Sequence, residues 1–100
     1  MKEAEVISWI FMAIAMASES EAAGFSDISR IADGINHAIP TPKEMQISIK
    51  WLLNKGLVTK QGKRYILTSQ GLSEYKGAID YSKSLFKNWK SLEIKLKSYS

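Results

Sequence analysis

Residues 41–64 gather the side chains of this chain best suited to holding an anion. At about 100° per residue, a helix here places Lys43, Gln46, Ile47, Lys50 and Asn54 on one side. Met45, Ile49, Leu52 and Leu53 fall on the other, as a core stripe would. Lys60, Lys63 and Arg64 follow. Residues 43–64 carry six bases against one acid, Glu44, whereas residues 1–42 carry two bases against six acids. Basic character therefore begins at Lys43. On a chain of net charge +4, a segment this localised points to an anionic partner. The plain alternative is a solvated lysine face.

Catalytic and metal chemistry find little material. The absence of cysteine excludes disulfides, thiolate metal sites and cysteine nucleophiles. His37 is the single histidine and has no second imidazole or thiolate to share a metal with. Asp27 with Asp33, and Glu19 with Glu21, are carboxylate pairs that caps and loops explain. No phosphate-cradling glycine loop and no serine elbow is present. The expectation is a non-enzyme without cofactor or metal.

The elements that must position the basic segment follow from periodicity. One hundred residues suit a single domain, and 45% apolar content is enough for its core. Residues 3–18 predict a first helix with two apolar stripes: Ile7, Ile10, Phe11, Ile14 and Ala17, then Trp9, Met12 and Met16. Two stripes need two neighbours. The apolar run 6–17 is too short for a bilayer span of about 20 residues. Glu3 and Glu5 precede it where a signal peptide carries positive charge, so a buried helix of a cytoplasmic protein without a membrane partner is expected.

A second helix is predicted from Ser26 as N-cap to about Asn36, with Ile28, Ile31, Ala32 and Ile35 inward. Thr41-Pro42-Lys43-Glu44 is a capping box with proline at the first helical position, and Gly56 is the matching stop. The period then drops to two. Residues 57–60 and 64–68 read as strands around a Gln61-Gly62-Lys63 turn. From about residue 69 to 99 the pattern predicts one unbroken helix, about 45 Å long, which would overhang a domain whose radius of gyration is near 13 Å. Leu85, Trp89, Leu92, Leu96 and Tyr99 are spaced 4-3-4-3 along it. They are the expected homodimer seam, helped by the first helix's second stripe; the alternative is that the final helix folds back onto that stripe.

The segment Leu52-Leu53-Asn54-Lys55-Gly56-Leu57-Val58, followed by Gly62-Lys63-Arg64-Tyr65-Ile66-Leu67-Thr68 and Gly71, resembles the recognition-helix-to-wing segment of winged helix-turn-helix transcription regulators of the MarR and PadR kind. The likeness covers roughly residues 26–72. It implies a mainly α chain with a small two-stranded β-wing (α+β), residues 1–72 forming the winged helix and 73–100 the dimerisation helix of the same domain. It implies sequence-specific binding of duplex DNA, with helix 42–55 in the major groove. Lys43 and Lys50 would then meet phosphates or guanine edges, Gln46 and Asn54 adenine, and Ile47 a thymine methyl. Thr41 and the amides at the helix start suit a phosphate. Lys60, Lys63 and Arg64 would touch the backbone or minor groove. Ile47 with Trp51 equally suits a protein, which makes an adaptor that does not bind DNA the alternative function. One helix beyond the wing leaves little room for an effector, so a small hydrophobic ligand between the first and last helices is the lesser expectation.

Overall fold

Residues Glu3–Ala17 form α1, and Ile7 through Ala15 are all buried. A helix apolar on every side must be surrounded, and here it is the axis of the domain. Phe25–Asn36 (α2) and Pro42–Asn54 (α3) pack on it from one part of the chain, and Leu85–Lys97 (α5) from another. Val58–Gln61 (β1) and Arg64–Leu67 (β2) form an antiparallel hairpin, and Ser69–Ala78 (α4) leads from it towards α5. The computed structural model describes residues 2–100. Among them are five helices and one two-stranded sheet, a mainly helical α+β fold. No helix among the described residues is long and apolar enough to cross a membrane.

The α2 start differs from its prediction by two residues. Gly24, not Ser26, is the N-cap, and the Asp27 carboxylate accepts from the Gly24 amide at 3.2 Å. The acid in the first turn thus does the capping from inside the helix. The hairpin turn is also tighter than expected. Gln61 pairs with Arg64, leaving Gly62 and Lys63 as a two-residue loop, and Gly62 takes φ 63°. Ala23, in the α1–α2 loop, exchanges two 2.8 Å backbone hydrogen bonds with Tyr65. The hairpin is thereby fastened to the body of the domain along β2.

The largest correction concerns the predicted helix over 69–99. It is broken, with α4 ending at Ala78 and α5 beginning at Leu85. Asp80 takes both the hydroxyl and the amide of Ser82, at 2.6 and 3.0 Å, and Ser84 caps α5 by accepting from the Lys87 amide at 3.2 Å. Short polar side chains that bond the nearby backbone compete with the helical ladder, and Asp80 and Ser84 both do so here. Buried Asn88 then clamps the turn, accepting from the Asp80 amide at 3.0 Å and donating to the Asp80 carbonyl at 3.1 Å.

The break lets α5 turn back, so the helix does not overhang: the molecule measures 33 × 28 × 27 Å. Trp89, Leu92 and Leu96 are buried in the chain's own core and are not a free dimer seam. The Trp89 indole N–H donates to the Glu5 carbonyl at 2.9 Å and to Ser8 Oγ at 3.0 Å, and its ring lies 6.1 Å from that of Trp9. Tyr99, also placed on that seam, donates its hydroxyl to Glu74 at 2.6 Å and accepts from Gln70 at 2.7 Å, which ties α4 to the end of the chain. Leu85 remains partly exposed at the start of α5. Residues 73–100 thus share the core of residues 1–72.

Candidate nucleic-acid interface

The basic segment is held from both ends. At its start, Thr41 Oγ1 accepts from the Glu44 amide at 3.1 Å and Glu44 accepts from the Thr41 amide at 2.9 Å. Pro42 occupies the first helical position, where no amide is needed. At its end, Gly56 adopts φ 72°, a left-handed value that turns the chain sharply into the hairpin. Met45, Ser48, Ile49 and Leu52 are buried, which fixes the rotation of α3 about its axis.

That rotation exposes Thr41, Lys43, Gln46, Ile47, Lys50 and Asn54 together. Lys60 and Lys63 are exposed on the hairpin. Among the described residues, no carboxylate pairs with Lys43, Lys50, Lys60 or Lys63. Four ammonium groups without a paired carboxylate among the described residues give this surface a positive excess.

Arg64 is placed differently from its expectation. It is exposed, but its guanidinium donates to the Ala22 carbonyl at 3.1 Å and lies 3.8 Å from Asp27. It anchors the hairpin to the α1–α2 loop, so it sets the angle of Lys60 and Lys63 as well as adding charge.

Two shallow grooves flank the exposed arc of α3. One, of about 240 Å³, joins Gln46, Lys50 and Asn54 to Phe25 of α2 and Tyr65 of β2, over a floor of Ile49 and Leu53. Phe25 and Tyr65 are 6.1 Å apart, and Phe25 is 41% exposed. Cross-strand register sets Lys60 opposite Tyr65. The second groove, of about 260 Å³, sets Thr41, Lys43 and Ile47 against Glu3 and Val6 of α1. The predicted face is therefore split between two environments, one aromatic and cationic, the other apolar with acids at its rim. Trp51 lies farther round, lining a third groove with Ile7 and Leu96 and carrying the Lys55 ammonium 5.6 Å from its ring.

Phe25 and Tyr65 were not among the side chains expected at the interface. Neither lies in the helix that periodicity singles out; the Ala23–Tyr65 bridge and the Arg64 anchor join the start of α2 to the hairpin that follows α3. A larger groove of about 460 Å³ runs between α1 and α4, lined by Ala15, Ile66, Leu72, Tyr75, Lys76 and Tyr81 among others, where the lesser expectation of a hydrophobic ligand would fall.

Comparison of the chain with models of protein families, with curated proteins and with solved structures finds no match. The chemistry of the surface has to be read from its own residues.

Proposed function

We propose that this chain is a winged helix-turn-helix protein that binds duplex DNA as a small transcriptional regulator. The observation that carries the reading is the outward arc of α3. Lys43, Gln46, Lys50 and Asn54 stand exposed together, the lysines lack counter-ions among the described residues, and the opposite arc is locked in the core. The element order supports it: three helices, the third capped and followed by a cationic hairpin.

In this reading α3 enters the major groove, where Gln46 and Asn54 pair with adenine and Lys43 and Lys50 meet guanine edges or phosphates. Lys60 and Lys63 reach the backbone or the neighbouring minor groove. Arg64 holds the hairpin at its working angle through Ala22 and Asp27. The test is fluorescence anisotropy of a labelled random duplex at two salt concentrations. Affinity falls steeply as salt rises, because several phosphates are neutralised. Lys50→Glu weakens binding by at least about tenfold and flattens the salt dependence, with the circular dichroism spectrum unchanged. Salt-independent binding, or none at low salt, overturns the reading.

A second reading is favoured by Ile47, 46% exposed, and Trp51, each lining an apolar groove. A protein adaptor would use that edge of α3. It then loses its partner with Trp51→Ala and tolerates Lys50→Glu, the reverse of the DNA expectation.

A further inference from the structure

The groove between α3 and the base of the hairpin has a composition that a paired duplex does not use. Its floor is aliphatic, from Ile49 and Leu53, and its wall is aromatic, from Phe25 and Tyr65. Its rim carries two side-chain amides, Gln46 and Asn54, and the Lys50 ammonium. In a duplex the faces of the bases are covered by their neighbours in the stack, and only base edges, sugar and phosphate are open to a protein groove. Against those, a floor of leucine and isoleucine beside a partly exposed phenylalanine gains little. An unpaired base offers the missing surface: a flat π-face for Phe25 and Tyr65, and an edge of donors and acceptors for the amides. The strand leaving that base carries phosphates past Lys50 and Lys60, and Lys60 stands opposite Tyr65 in the hairpin register.

We infer that this groove is a binding site for an unpaired nucleobase, so that the chain prefers DNA in which a duplex adjoins a single strand or an unpaired nucleotide. The inference rests on the DNA reading above and names the form of DNA that the same face selects. Phe25 is the stacking residue, Gln46 and Asn54 meet the edge of the unpaired base in place of a paired adenine, and Lys50 and Lys60 hold the strand. The amide side chains can each donate and accept, so they accommodate more than one base.

The experiment compares three labelled probes of one sequence by anisotropy: a blunt duplex, the same duplex with a single-stranded overhang, and the single strand alone. The overhang probe binds about tenfold more tightly than the blunt duplex, the size expected for one base stacked on an aromatic ring. Phe25→Ala removes that preference, lowering overhang affinity about tenfold more than blunt-duplex affinity, while Phe25→Tyr restores it. Lys50→Glu weakens all three probes. Equal affinity for blunt and overhang probes overturns the inference and leaves the duplex reading standing. A Phe25→Ala loss shared equally by all probes also overturns it, since Phe25 would then act only through packing. Binding to none of the three overturns both.

Discussion

Ser48 shows how much a single atom can matter here. Its hydroxyl lies in the face of α3 that packs inward, fully buried, with no hydrogen-bond partner among the described residues. A buried polar group left unsatisfied costs roughly 1–3 kcal/mol, and removing it recovers part of that. Ser48→Ala is therefore expected to stabilise the domain by about 1 kcal/mol, read as a higher denaturant midpoint at unchanged slope. Tyr75 makes a different prediction. Burial first, then the neighbouring Tyr81 and Glu19, pushes its phenol up to about 12. A group whose folded pKa is raised stabilises the fold fully below its unfolded value, about 10, and ceases to do so as pH rises through 12. Denaturation midpoints should fall over that window more steeply for the native chain than for Tyr75→Phe. Equal slopes would place the Tyr75 phenol in water. Residues of this kind are illegible in the sequence, where Ser48 is one serine among many and Tyr75 one aromatic in an apolar pattern. Only packing distinguishes them.

The elements divide into those with strong local signals and those without. Helix α3 is legible because its capping box, its proline and its terminal glycine all act within the segment itself. The hairpin is legible for the same reason, since alternation and Gly62 define it to within a residue. The strap over 79–84 was hidden because its decisive contact is made from the next helix. Asp80 and Ser82 favour a turn, but the apolar periodicity runs on through them, and Asn88 settles the matter by bonding both backbone groups of Asp80. Asn88→Ala leaves that backbone pair without its buried partner, at a cost of about 1–3 kcal/mol. Hydrogen exchange should rise at residues 79–84 before it rises in α1. Exchange that stays slow there would show that Ser84 and the turn's own bonds suffice. A further local motif gains its physical reason from the fold. Thr68 caps α4 by accepting from the Gly71 amide at 3.0 Å, and Gly71 sits where a Cβ would come within 1.9 Å of the Leu57 carbonyl oxygen. The spacing of Thr68 and Gly71 joins a cap to a close approach of two backbones.

For the whole molecule, the central fact is that α1 has neighbours on all sides and one of them is α5. Which neighbour would cover its second stripe was an open question at the level of sequence, because a stripe states only that something must cover it. A copy of the chain and the chain's own last helix satisfy it equally well; the break at 79–84 decides for the latter. Trp89→Ala tests this. It removes a large buried ring and two hydrogen bonds to α1, so a loss of about 3–5 kcal/mol is expected, a large part of a small domain's stability. The loss should be the same in dilute and concentrated protein, since the partner surface is in the same chain. A loss that shrinks with concentration would return Trp89 to an interface between copies.

The distance along the chain between Glu5 and Trp89 also has a bearing on how the protein is made. Helix α1 is the most apolar segment of the chain, yet its last neighbour, α5, is made some eighty residues after it. Chains emerge from the ribosome at about 5–20 residues per second, so this helix waits for seconds before its last neighbour exists. The packing of α1 is thus complete only once α5 has cleared the exit tunnel.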